Sequence, residues 1–240
     1  MPSAARPTTW LVTGTSRGIG LEIVRQLVAN PSYIVVAALR NPDKAPTLHG
    51  LKDTAKGKLH IIQLDVSDFD SIRQSVKQVE PILGNIGLDY LVNNAGVVAH
   101  DTAFTLDPEE LLSVVRTNTA GPALLSQVLL PFIEKGEKKT ILHISSVAGS
   151  MQSVPELGVI YGSYSMSKAA YNMLAQKQKI ERPDLTIISM CPGHVKTDMN
   201  PVHYEIEPEE SVQGIIKVIT SVKPSDSGKY LRYNGEIIPW

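Results

Sequence analysis

A single cysteine, Cys191, stands in the whole chain, so no intrachain disulfide can form. That composition fits a reducing compartment, and a cytoplasmic location is expected. Histidine is scarce as well. The six residues are scattered and show none of the His/Cys spacing of a zinc site, so no metal is expected. No stretch approaches the roughly 18 consecutive apolar residues of a membrane span. Met1–Pro7 contains no apolar run, and no secretory signal is expected there. An excess of one charge sign is also missing. Lys and Arg number 23 against 24 Asp and Glu, a net charge of -1, which argues against nucleic acid as a partner. Aromatic residues make up only 5%, yet 42% of the 240 residues are hydrophobic and 20% charged. This is the composition of a globular chain long enough for one large α/β core.

Short apolar runs recur along the chain. Thr9–Thr13, Tyr33–Leu39, Leu59–Leu64, Leu88–Val92, Thr140–Ile144 and Leu185–Met190 read as strands, with a final short one at Lys229–Tyr233. Their continuous apolar character suits a parallel sheet covered on both faces. Helical patterns separate them. Ser67 reads as an N-cap for a helix to about Leu83, and Asp107 with Pro108 opens a long helix through Leu129. Gly121-Pro122 should kink that helix. Another helix runs from Tyr164 through Ala175, and Glu207-Pro208 opens one to about Val222. No linker or composition break interrupts the alternation. The expected fold is α/β, a doubly wound parallel sheet of about seven strands with helices on both faces, in one domain spanning 1–240.

The first strand runs into Gly14-Thr-Ser-Arg-Gly18-Ile-Gly20 and then a helical pattern. Strand, glycine loop and helix in that order make a phosphate site. Gly14 permits the turn, Gly18 lets backbone approach a pyrophosphate, and Gly20 lets helix pack on strand. The helix N-terminus adds N–H donors and a partial positive charge. Dinucleotide folds that use NAD carry an acid at the end of the second strand, for the ribose 2′-hydroxyl. Here that position holds Arg40, and Arg17 lies in the glycine loop. Two guanidinium groups suit a 2′-phosphate, and so NADP(H). The plainer alternative makes Arg40 a solvated strand-end residue.

Other strand ends carry polar residues too. Asp65 closes the third strand and either accepts from an adenine amine or caps the next turn. Asn93-Asn94-Ala95-Gly96 follows the fourth strand, where small and amide-bearing residues let backbone approach a ligand. Asn118 lies midway along an apolar helix, facing either a cavity or satisfied core partners. Ser145-Ser146 ends the fifth strand.

Tyr164 and Lys168 stand four apart, one helical turn from each other. An ammonium beside a phenol favours the phenolate and is expected to lower the tyrosine's pKa from about 10. Tyr161 is near, but only Tyr164 stands four before a lysine.

Thr13-Gly14-x-x-x-Gly18-x-Gly20, Asp65, Asn93-Asn94-Ala95-Gly96, Asn118, Ser146, Tyr164-x-x-x-Lys168 and Pro192-Gly193 together resemble the short-chain dehydrogenase/reductase family. The resemblance spans nearly the whole chain, and a more distant one, through the Thr-Ser-Arg-Gly-Ile-Gly loop, the long Ser-to-Tyr loop and the terminal Pro-Trp, is to sniffer-type carbonyl reductases and fungal norsolorinic acid ketoreductase-like proteins. It implies a Rossmann fold and NADPH-dependent reduction of a ketone or aldehyde. Tyr164 would be the general acid, and Lys168 would tune it and hold the nicotinamide ribose. Ser146, chosen over Ser145 because it precedes Val-Ala-Gly149, would hold the substrate carbonyl. Asn118 would bind a water linking Lys168 to solvent. Val195, after Pro192-Gly193, would present its backbone to the nicotinamide carboxamide, Thr197 would contact that group or the pyrophosphate, and Asn93 and Gly96 would border the adenosine ribose. Ser16, Ile19, Val66 and Ala95 complete the implied cofactor site. The resemblance also implies a homodimer or homotetramer through the helices of Asn118 and Lys168.

Ser146 and Tyr164 are 18 positions apart, more than is common in the family, so the 150–162 loop is expected to wall the substrate site. Few residues near Val97, His100, Met151, Val195 and Met199 are polar, and a hydrophobic or aromatic small-molecule carbonyl is the expected partner. Two alternatives compete with this reading. One is an NADP(H)-binding regulatory protein with little catalysis, against which the full set Asn118, Ser146, Tyr164 and Lys168 stands. The other is an NAD-linked alcohol dehydrogenase, against which Arg40 stands.

Overall fold

The structure, a computed structural model, describes residues 6–200, 202 and 204–240. Met1–Ala5, part of the stretch read for a secretory signal, lie outside the described residues. In chain order the elements are β1 (Thr8–Thr13), α1 (Gly18–Leu27), β2 (Tyr33–Leu39), α2 (Pro46–Thr54), β3 (Lys58–Gln63), α3 (Phe69–Leu83), β4 (Tyr90–Asn93) and α4 (Pro108–Val115). There follow α5 (Gly121–Lys135), β5 (Thr140–Ile144), α6 (Val154–Leu157), α7 (Gly162–Glu181), β6 (Thr186–Cys191), α8 (Pro208–Ser221) and β7 (Tyr230–Arg232).

The seven strands form one parallel sheet in the order β3-β2-β1-β4-β5-β6-β7. Alternate residues of each strand point to opposite faces, and each face is covered. Trp10, Val12, Val35, Leu142 and Ile188 pack with α1 and α8 through Ile23, Leu27, Val212 and Ile215. Leu11, Val36, Ile141 and Ile187 pack on the other face with α3, α5 and α7 through Ile72, Val79, Leu125, Leu129 and Ala175. The doubly wound expectation therefore holds, with helices on both faces.

Two local expectations change. The cap of α3 is Asp68, whose carboxylate accepts from the N–H groups of Asp70 and Ser71. Ser67 instead donates its N–H and hydroxyl to Asp65 Oδ1, at 2.9 and 2.7 Å. The long helix from Asp107 is not one kinked helix. Arg116–Ala120 form a π-helical turn between α4 and α5, and Pro122 sits in the first turn of α5. A proline at 122 has no N–H for the carbonyl four residues earlier, so the ladder widens there.

The strand order reverses between β1 and β4. Ligands in such sheets bind outside the carboxyl ends of the strands, at this reversal. The opposite edge is built for stability. Asp89, just before β4, is buried and accepts from the N–H and hydroxyl of Thr9, from Arg6, and from the N–H groups of Glu137 and Lys138. Removing one member of such a buried set strands the others, which costs roughly 3–5 kcal/mol. Asp89→Ala should therefore lower the unfolding free energy read from urea titration by an amount in that range, with a lower midpoint. An unchanged midpoint would contradict this account of the lower edge.

Candidate active site

Two strand ends are joined at the reversal. Thr13 Oγ accepts from the N–H groups of Asn94 and Ala95, both at 3.0 Å, and Asn94 Nδ2 donates to the Thr13 carbonyl at 2.8 Å. The glycine loop leaves β1 beside this junction. Gly14 and Gly18 have φ of +71° and +56°, backbone that favours glycine. A Cβ on Gly20 would lie 2.3 Å from the Gly14 carbonyl, so α1 can start this close only without one. Arg17 occupies the cap position of α1 with no side-chain hydrogen bond to the first turn. The helix opens toward the loop with its N–H groups uncapped by side chains.

Residues expected around this loop divide into several groups. Ser16, Arg17 and Arg40 are exposed. Arg17 pairs with Asp198, beyond β6, at 3.0 Å. Arg40 directly follows β2, and its main-chain carbonyl accepts from the Gln63 side chain. The Ile19 side chain packs into the core, leaving its backbone for a ligand. Asp65 accepts from Ser67, which is the turn-capping alternative. Val66 is buried at the start of the same turn. Asn93 is turned inward. Its side-chain nitrogen faces Ser126 and His143 at 3.4 Å each, and its main-chain carbonyl accepts from the Tyr171 hydroxyl. The crevice beside β4 is thus bordered by Ala95 and Gly96, with the Asn93 side chain facing the core.

Beyond β6, Pro192 gives its carbonyl to the Ser211 hydroxyl, and Gly193 follows with φ +88°. Val195 is buried and bridges to Ile206. Thr197 comes back to the glycine loop, where a Cβ on Gly18 would touch it at 3.4 Å. The post-β6 loop therefore closes the far side of the same crevice.

The four residues expected to do chemistry meet above β4 and β5. Ser146 caps the short turn Val147–Gly149, its hydroxyl oxygen accepting from Ala148 N–H at 3.2 Å, and that hydroxyl lies close enough to the Tyr164 phenol to act on its pKa. Ser145 points the other way, donating to Asn172 at 2.7 Å. Lys168 is buried, and its Nζ donates to the Ile144 carbonyl at 2.7 Å. It also lies 5.6 Å from the centre of the Tyr164 ring and 5.0 Å from that of Tyr171. Asn118 lies fully buried in the π-helical turn. Its side chain accepts from Val97 N–H and donates to the Val97 carbonyl, both at 2.8 Å, and reaches Ser167 Oγ at 3.0 Å. The satisfied-partner alternative describes this side chain.

The electrostatics differ from the sequence expectation. Tyr164 is half-buried as a residue, but burial of its phenol pushes the pKa up to about 12, against a smaller lowering by the Ser146 hydrogen bond. The expected lowering by Lys168 is not found: burial disfavours the phenolate, and Lys168 is not among the groups that shift the phenol. Lys168 is itself drawn down to about 8 by burial, with Cys191 acting weakly the other way. His143, beneath them, is held near 4 by burial.

Three supporting residues were not singled out from the sequence. Tyr230 donates to the Ser146 carbonyl and stacks on Trp240, with ring centres 5.1 Å apart. Asn172 ties Ser145 to the Gly149 carbonyl. Tyr171 links His143 to Asn93. A polar residue one turn beyond Lys168 was the only local signal for Asn172. The other two contacts join distant segments.

The sequence profile of the short chain dehydrogenase family matches residues 8–207. The chain is similar to the NADPH-bound carbonyl reductase from chicken fatty liver, with 34% identity, a TM-score of 0.91, and coverage of 98% of this chain and 100% of that one. It is similar to carbonyl reductase Sniffer of D. melanogaster at 27% identity and a TM-score of 0.91, with the same coverage. It is also similar to the short chain dehydrogenase gsfK of Penicillium aethiopicum, 29% identical over 98% of this chain and 100% of that protein.

The depressed Lys168 pKa has a measurable consequence. The unfolded chain holds that proton up to about 10.5 and the folded chain releases it near 8. Across this window the unfolded state binds more protons, so stability rises with pH. The gap corresponds to about 3 kcal/mol, approached by pH 10.5. Urea unfolding between pH 7.5 and 10 should show that rise in the unaltered chain and not in Lys168→Met. Parallel pH dependences in the two chains would contradict the assignment.

Proposed function

The chain belongs to the short-chain dehydrogenase family and is an oxidoreductase; from that premise we propose that it is an NADPH-dependent carbonyl reductase. The observation that carries this reading is the placing of Ser146 beside Tyr164, with Lys168 buried one turn below and bonded to the end of β5, at the carboxyl edge of the sheet beside the glycine loop. The chicken carbonyl reductase, whose structure holds NADPH, shares the fold at 34% identity and a TM-score of 0.91.

The crevice fits a dinucleotide. Gly14 and Gly18 take backbone conformations that a side chain resists, Gly20 leaves no room for a Cβ, and α1 presents an uncapped N-terminus. Gly14, Ser16, Gly18 and the Ile19 and Gly20 amides would hold the pyrophosphate. Arg17 and Arg40 would grip the 2′-phosphate, and Asp65 and Val66 would border the adenine. Ala95 and Gly96 would border the adjoining ribose, and Pro192, Gly193, Val195 and Thr197 the carboxamide end. NADPH, when bound, supplies the hydride.

The protein's part follows from its geometry. A carbonyl oxygen placed between Ser146 and Tyr164 receives two hydrogen bonds as negative charge develops on it. Tyr164 holds its proton firmly at neutral pH and releases it to that oxygen. Lys168, charged below about pH 8, favours the resulting phenolate. The Asn118 side chain is committed to Val97 and Ser167, so the relay role falls to its main-chain carbonyl. Position 122 is proline, so the α-helical donor for that carbonyl is missing.

Val97, Met151, Val154, Val159, Ile160 and Met199 are exposed on segments around the mouth. This apolar rim supports a hydrophobic or aromatic ketone or aldehyde as substrate. On α7, Met166, Met173 and Ile180 recur every seven residues and are exposed, which supports self-association through that helix.

Tyr164→Phe should lower turnover of a ketone by about 100- to 10,000-fold while NADPH still binds. Steady-state NADPH absorbance and fluorescence titration read the two quantities, and retained turnover would remove Tyr164 from the acid's role. For the cofactor, initial rates should favour NADPH over NADH, and Arg40→Asp should shift the balance toward NADH. Faster turnover with NADH in the unaltered chain would overturn the role of both arginines.

A further inference from the structure

The helix that carries Tyr164 and Lys168 lacks a cap of its own. Tyr161 occupies the cap position of α7, makes no side-chain hydrogen bond to the first turn, and has left-handed backbone, φ 66° and ψ 38°. Few non-glycine residues adopt that conformation unless their surroundings impose it. The first-turn groups are satisfied by a residue 62 positions earlier. Asp101, in the loop between β4 and α4, accepts from Ser163 N–H through Oδ1 at 2.9 Å and from the Ser163 hydroxyl through Oδ2. Its carbonyl accepts from Gly162 N–H at 3.2 Å. Burial would raise its pKa, but the Ser163 hydroxyl and the backbone N–H groups hold it below its ordinary value. A carboxylate therefore faces the positive end of the helix dipole.

The contact is tight on both sides. A Cβ on Gly162 would press on the backbone of Thr102 and Ala103 at 3.1 and 3.3 Å. The loop bearing Asp101 is anchored upstream, where Asn118 holds both backbone polar groups of Val97. The rings of His100, Tyr161 and Tyr164 follow one another, with centres 5.3 and 6.4 Å apart. Ser163 immediately precedes Tyr164, so the turn that Asp101 holds also sets where the phenol stands.

We propose that Asp101 is a positioning residue for Tyr164, capping α7 from outside the helix and holding Tyr161 in its left-handed conformation so that the phenol reaches Ser146. This rests on the reading of Tyr164 as the acid. It also gives the 97–105 loop a part in the reaction, since that loop joins Asn118 to the start of α7.

The experiment compares the unaltered chain with Asp101→Ala, Asp101→Asn, Ser163→Ala and Tyr164→Phe, using NADPH and one ketone that the unaltered chain reduces. Asp101→Ala should lose about 10- to 100-fold in kcat, the scale set by misplacing a reacting group, with its NADPH Kd within about twofold. Asp101→Asn retains an acceptor for Ser163 N–H and should recover much of that kcat. Amide exchange at Ser163 should quicken in Asp101→Ala. If Asp101→Ala does not fold, Ser163→Ala decides the matter, with kcat expected to fall at unchanged NADPH Kd while Asp101→Asn stays closer to the unaltered chain. Unaltered kcat in the folded variants would overturn the proposal, as would an equal loss of kcat and NADPH affinity. A fully active Tyr164→Phe would instead overturn the reading of the acid. An inactive Tyr164→Phe beside a fully active Asp101→Ala would remove only Asp101's part.

Discussion

One hydrogen bond sets the geometry on which the rest depends. Lys168 Nζ donates to the carbonyl of Ile144, the last residue of β5, at 2.7 Å. An ammonium is costly to bury without a partner, so the contact forces α7 to lie with its first turns over the end of that strand. The adjacent loop allows no slack. A Cβ on Gly149 would sit 2.7 Å from the Lys168 backbone. With α7 held there, Ser146 just after β5 and Tyr164 at the start of α7 are brought side by side across 18 residues of sequence. Burial of Lys168 and the meeting of the two hydroxyls are thus consequences of the same packing.

The two edges of the sheet divide the work. At the amino edge, Arg6, Thr9 and Asp89 form a closed network whose polar atoms satisfy each other. At the carboxyl edge the strand ends carry glycines, amides and hydroxyls, and several of their contacts reach across from other elements. Thr13 holds the turn after β4, Tyr230 of β7 holds Ser146, and Trp240 stacks on Tyr230 while its carbonyl accepts from Gln152 in the 150–162 loop. The 150–162 segment, the wall of the mouth on the proposed reading, is tied to the end of the chain by these last contacts. Changes there can alter the mouth without touching the residues at its floor.

Much of this was legible in the sequence, and the reasons are physical. Apolar runs of strand length, separated by helical patterns, predicted the parallel sheet because a strand covered on both faces has no polar side to show. The glycine spacing after Val12-Thr13 was informative because backbone approach and left-handed turns need glycine. What escaped was long-range. Ser67 looked like a cap, but Asp68 one residue later is better placed, and the serine serves Asp65 instead. Asn118 could not be resolved between cavity and core, since its partners Val97 and Ser167 lie on other elements. Asp101 left no trace at all. A cap normally precedes its helix directly, and nothing in the neighbourhood of Tyr161 signals that one arrives from another loop.

The pKa of Tyr164 bears on direction. The sequence suggested a phenol lowered by its lysine, which would suit a base drawing a proton from an alcohol. Burial instead holds the proton on, up to about 12. On the proposed reading that favours reduction, because the acid must stay protonated until charge develops on the substrate oxygen. Lys168 then acts when the phenolate forms, when an ammonium in a poorly solvated site is most effective. Its own pKa near 8 keeps it mostly charged at neutral pH and close to release. The same burial that makes Tyr164 a reluctant acid makes Lys168 a ready proton donor. A proton lost from the tyrosine can then be replaced from the lysine side, next to the turn of Asn118 and Pro122.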